Sequence, residues 1–68
     1  MGKIKKMNCL EEKRKEKKLD RSELADQANV SIQTIQRIEE NKYEPSFALA
    51  SLLAKILDQE VTEVFLGE

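Results

Sequence analysis

Gln33, Gln36 and Arg37 are the side chains of this sequence best suited to specific chemistry, with Ile32 beside them in the stretch IQTIQRIEE at positions 32–40. At about 100° of rotation per helical residue, Ile35 and Ile38 point to one side, and Ile32, Gln33, Gln36 and Arg37 to the other. The outer side lacks the Glu/Lys mixture of a helix that merely meets water. A glutamine amide can pair with adenine, a guanidinium can read guanine or hold a phosphate, and an isoleucine can touch a thymine methyl. The chemistry is therefore reading base edges in a DNA groove. A solvated polar face is the competing reading. No catalytic alternative presents itself, because the chain has no histidine and one cysteine, Cys9. Without a nucleophile–base pair, a metal-ligand cluster or a phosphate loop, neither an enzyme nor a cofactor or metal site is expected. No small-molecule ligand is evident either.

The elements that must hold this face can be read from the twenty residues RSELADQANVSIQTIQRIEE, positions 21–40. Asp20 should cap a helix over 21–28, and Ser31 a second over 32–39. Between them the chain must turn sharply, and Asn29 tolerates a left-handed backbone without being glycine. Ala25 is small where two crossing helices press together, and Leu24, Ala28, Val30, Ile35 and Ile38 are apolar where such a pair faces inward. These constraints describe a helix-turn-helix. Around it, a first helix is expected from Met7 or Asn8, with Asn8 as cap, to near Lys17. Met7, Leu10 and Arg14 share one face of it, Lys13 thins its apolar stripe, and Leu19 enters the core after it. Residues 1–6 (MGKIKK) read as a flexible basic arm and residues 7–66 as a single domain.

Beyond Glu40, Asn41 suits a left-handed cap and Pro45 ends any continuing helix. Ser46 should cap a helix over 47–57 with a core stripe of Leu49, Ala50, Leu53, Ala54 and Leu57. A short helix over 61–65 would return Val61, Val64 and Phe65 to the core, and Gly67 marks its end. With no strand candidate, the expected fold is all-α, a compact five-helix bundle. Ala48, Leu52 and Ile56 form a second apolar line at i, i+4 and i+8, which together with Phe65 and Leu66 suggests a homodimer surface.

Sixty-eight residues make one domain with a small core, so caps and a partner chain are expected to contribute to its stability. The 40% hydrophobic and 37% charged composition suits a helical globule. No apolar run nears the ~20 residues of a membrane span. No leader segment is read at the start, and a lone cysteine fits a reducing compartment, so a cytoplasmic protein is expected. Net charge is −1, but residues 1–21 hold nine Lys/Arg against four Asp/Glu, and residues 22–68 three against nine. A polyanion responds to the local field rather than the total. The run KRKEKK at 13–18 is read as a solvated helix face, with Lys17 or Lys18 adding only distant attraction. Cys9 is read as a partly exposed thiol without a redox role.

The stretches LDRSELADQANVSIQTIQRIEENKYEPS and FALASLLAKIL resemble the phage Cro/CI-like repressors and Xre-type bacterial regulators over about residues 7–66. The resemblance implies the repressor DNA-binding domain fold and double-stranded DNA as partner. It places Arg21 on a phosphate, and Ser31, Ile32 and Gln33 on phosphate and base edges. It places Gln36 and Arg37 on further bases or backbone, and Asn41, Lys42 and Tyr43 in a loop gripping the opposite backbone. It also implies a structural ion pair between Arg14 and Glu39. Lys18, Asn29 and Asn41 depart from the family's glycines, Lys13 from an apolar residue, and Gln59 from a valine-like one. Glu40 would repel a phosphate unless it turns away. Two functions fit: a sequence-specific transcriptional regulator, most simply a repressor on a near-palindromic operator, or an antitoxin-like or anti-repressor module binding another protein.

Overall fold

A computed structural model describes residues 9–66, Leu66 through its backbone alone. The proposed arm at 1–6, Met7, Asn8, the Leu66 side chain and Gly67 lie outside the described residues. The elements are α1 (Leu10–Glu16), α2 (Arg21–Ala28), α3 (Ile32–Glu39), α4 (Phe47–Ile56) and a closing turn of π-helical pitch, α5 (Thr62–Leu66). No strand occurs among the described residues, so the fold is the expected all-helical one.

Three helix starts are fixed by side chains acting on their own first turn. Asp20 accepts from the Glu23 amide at 2.8 Å, and Glu23 reaches back to the Asp20 amide at 2.9 Å. The two together make a capping box, of which only the Asp20 half is expected from the sequence reading above. Ser31 accepts from the Thr34 amide at 3.1 Å and Ser46 from the Leu49 amide at 3.2 Å. Each such cap is worth about 1 kcal/mol because it satisfies a donor with no partner inside the helix.

The ends of the chain depart from expectation. The first helix begins at Leu10, after Met7 and Asn8, and Cys9 precedes it without a side-chain cap. The Cys9 amide donates instead to the Val64 carbonyl, so α5 closes the start of α1. The last helix is not an α-helix over 61–65 but the π turn, with the Glu60 amide bonded to Glu63 Oε1 at 3.0 Å. Helix α4 stops at Ile56, one residue short of the expected 57, because Asp58 takes φ 59°.

The core lies where α2 meets α3 and α4, with α1 laid against α3 and α5. Leu10, Leu24, Ile35, Ile38, Leu53, Leu57 and Val64 are fully buried. Each contributes about 1.5–3 kcal/mol by leaving water. Ala25 and Ala28 are buried as well, which lets the two motif helices approach closely. Leu19, Val30, Leu49 and Val61 pack half-buried around them.

Candidate nucleic-acid interface

The turn between α2 and α3 is built as its residues require. Asn29 takes φ 61°, ψ 42°, and its amide and that of Val30 close onto Asp26 and Ala25. Val30 then packs on the core and Ser31 opens α3. This fixes the rotation of α3: Ile35 and Ile38 are buried, while Ile32, Gln33, Gln36 and Arg37 are exposed. Ile32 keeps 48% of its surface in solvent, a large exposure for an apolar side chain at a helix start. Gln33 and Arg37, one turn apart, bond to no other described side chain. The candidate reading face therefore has two rows, Gln33 with Arg37 and Ile32 with Gln36.

Glu39 anchors this helix from behind. Its carboxylate is 1% exposed and accepts from Arg14 Nε at 2.7 Å. A second, longer bond joins Arg14 Nη2 to Glu39 Oε1 at 3.5 Å. Arg14 also donates to the Leu19 carbonyl at 2.9 Å, which ties the turn before α2 into the same network. The pair belongs to the scaffold, and removing one partner would leave a buried charge uncompensated.

Arg21 joins that network, a contact the sequence reading did not include. Its Nε donates to Glu39 Oε1 at 2.9 Å, and this bond raises the guanidinium pKa further. The side chain stays 35% exposed at the first position of α2. One buried carboxylate thus holds two arginines, Arg14 buried and Arg21 partly exposed at the surface. The only hint in the sequence was two arginines for one inward-facing glutamate. Ser31 likewise has a structural task, since its hydroxyl caps α3 and lies 2.8 Å from Thr34 Oγ1.

After α3 the chain folds back tightly. The Glu40, Asn41 and Lys42 amides donate to Gln36, Ile38 and Arg37 carbonyls at 3.0, 3.0 and 2.8 Å, and Asn41 takes φ 62°. Asn41, Lys42 and Tyr43 are all exposed on this loop, beside the end of α3. Glu40 accepts from Gln36 Nε2 at 3.1 Å and lies 3.6 Å from Lys42 Nζ. The Gln36 bond, then Lys42, lowers its pKa. The sequence marked Glu40 as a repulsive group; two partners claim its charge.

The expected partner face of α4 is mixed. Ala48 is exposed and Leu52 is 38% exposed, whereas Ile56 and Phe65 lie half-buried against the core. Phe47, the first residue of α4, is 78% exposed and was not singled out from the sequence. Among the described residues no group of three or more His, Cys, Asp or Glu could hold a metal ion, and no helix is long and apolar enough to cross a membrane. Cys9 is a half-buried free thiol.

A short helix packed across another, a capped second helix with an exposed donor-rich face, and a donor-bearing loop behind it define a helix-turn-helix protein of the Cro/CI-like, Xre-type class. Comparison with known proteins agrees: the helix-turn-helix family model matches residues 10–64, and the chain belongs to that family. It is also 40% identical over 50 residues to a Methanocaldococcus jannaschii protein named as an uncharacterized HTH-type transcriptional regulator. That match covers 74% of this chain and 76% of the relative.

Proposed function

We propose that the chain is a cytoplasmic, sequence-specific repressor that reads the major groove of double-stranded DNA with α3. Membership of the helix-turn-helix family and the regulator-named relative make it a DNA-binding transcription regulator rather than an enzyme. The observation that carries the finer reading is the exposed face of α3. Gln33 and Arg37 stand free of other described side chains, with Ile32 and Gln36 alongside, on a helix whose opposite face is locked into the core. Arg21, Ser31 and the loop residues Asn41, Lys42 and Tyr43 border that face and fit phosphate contacts, which set register, while α3 reads sequence. Repression then follows from occupancy of the operator. Substituting Gln33 by Ala should lower affinity for the selected site by ~1–3 kcal/mol and leave non-specific binding nearly unchanged. Equal loss of both in gel-shift titrations would remove Gln33 from base reading. A chain that enriches no duplex from a random pool at low salt would favour the protein-interaction module.

The proposal includes a homodimer through Ala48, Leu52 and the exposed flanks of Ile56 and Phe65, with Leu66 following in sequence. Two α3 helices would then enter successive major grooves about 34 Å apart on a near-palindromic operator. Leu52 and Phe47, exposed on the same helix, support it. Leu52→Glu should sediment as a folded monomer under conditions where the parent chain is a dimer, and an unchanged oligomeric state would remove this surface.

A further inference from the structure

Among the described residues, Glu40 is the carboxylate bonded to the donor face of α3. It follows the last residue of the helix and is held in place by its amide bond to the Gln36 carbonyl at 3.0 Å. Its side chain, 38% exposed, continues the row formed by Ile32 and Gln36 at spacings of four. Gln36 Nε2 donates to Glu40 Oε2 at 3.1 Å, and Lys42 Nζ stands 3.6 Å from Oε1.

The bond to Gln36 has a directional consequence. An ionised carboxylate only accepts hydrogen bonds, so the amide of Gln36 must turn its nitrogen, not its oxygen, toward Glu40. One Nε2–H is consumed there. What remains for a ligand is one N–H donor and the Oε1 acceptor. A donor beside an acceptor complements the N7 acceptor and N6 amino donor of adenine in the major groove. Guanine presents two acceptors at the same edge and so calls for two donors. Without its neighbour the amide could rotate and offer either arrangement. Lys42, on the other carboxylate oxygen, offsets the negative charge that would otherwise repel the phosphate backbone. Like any exposed glutamate, Glu40 is ionised and purely accepting in the neutral range, and the bond from Gln36 lowers its pKa further.

We propose that Glu40 is a positioning residue for DNA reading: by holding the Gln36 amide in one orientation, it makes α3 select adenine over guanine at the base pair Gln36 meets. The inference rests on α3 being the recognition helix, and the experiment separates the two. Random-duplex selection is run with the full chain and with Gln36→Ala, Glu40→Ala and Glu40→Gln, each confirmed folded by circular dichroism. The parent chain should enrich adenine at a position that Gln36→Ala randomises. Glu40→Ala should lower the adenine preference at that position by about tenfold and leave the other positions intact. Glu40→Gln, whose amide can donate as well as accept and so no longer fixes the orientation of Gln36, should lower the preference too, and its keeping the full preference would overturn the inference. The inference is overturned if Glu40→Ala keeps the adenine preference, loses all positions alike, or merely binds every duplex more tightly. It is also overturned, with DNA reading by α3 left standing, if Gln36→Ala alters no position. A parent chain that enriches no sequence overturns the recognition-helix reading itself.

Discussion

The two inner turns of this molecule and its two outer turns solve the same backbone problem with different residues. Each of the four α-helices is followed by a residue at positive φ that is not glycine: Lys18, Asn29, Asn41 and Asp58, all between 59° and 62°. The inner pair, Asn29 and Asn41, bracket α3. Asparagine tolerates the left-handed region because its short polar side chain can bond locally. The outer pair, Lys18 and Asp58, end α1 and α4. Lysine has no such compensation. The outer turns close by the same kind of backbone bonds and are held from outside as well: Lys17 pairs with Asp58 at 2.7 Å, and Arg14 donates to the Leu19 carbonyl at 2.9 Å. All four turns thus close locally, and the flanking pair lean in addition on each other and on the network of the buried ion pair.

The largest test of that dependence is Glu39→Ala. It should cost ~3–5 kcal/mol in urea unfolding, because Arg14 is left buried without its partner and Arg21 loses its anchor. Replacing Arg14 and Glu39 together by Met and Leu should cost much less. A small loss on Glu39→Ala alone would mean that the flanking turns do not lean on this pair.

Next in size, Lys18→Gly should raise stability by about 1 kcal/mol, the left-handed strain of a side chain without local compensation. Asn29→Gly should move it by only a few tenths, since Gly's greater unfolded-state freedom offsets its easier turn. Equal gains at both sites, measured by thermal or urea unfolding, would erase the distinction between inner and outer turns.

The smallest effect belongs to the Lys17–Asp58 pair. The hydrogen bond from Lys17 holds the Asp58 pKa below its ordinary value. A carboxylate whose folded pKa is depressed stabilises the fold above its unfolded pKa. That contribution is lost as pH falls through the lowered folded pKa. Lys17→Ala should therefore flatten the acid side of the stability–pH curve at low salt and leave the neutral side only slightly changed. An acid slope identical to that of the parent chain would show that the pair contributes nothing.

Much of the candidate site was legible because its determinants are local. Helices over 21–28 and 32–39, the caps Asp20 and Ser31 and the turn residue Asn29 all act within a few positions of themselves, and the structure carries each one. The inward and outward faces of α3 followed from its period alone. Arg14 and Glu39 sit 25 residues apart, and their pairing was available only through likeness to a family. The start of α1 was misjudged for a related reason. Its N-terminal amide is satisfied by Val64, from the far end of the described chain, rather than by a neighbouring side chain. The π turn of α5 and the reversal at Asp58 carried no recognisable local signal.

By itself the sequence determined that the chain is helical, where its helix-turn-helix lies and which side chains that unit exposes, since backbone propensity, capping and periodicity operate over a single turn or two. Only the tertiary structure decided how those side chains are claimed. It gave Arg21 to Glu39, set Glu40 against both Gln36 and Lys42, turned Ile56 and Phe65 toward the core and left Phe47 bare. Partnerships among charged and amide groups depend on distances of about 3 Å between atoms carried by separate turns and helices, and such distances are fixed only once the core has packed.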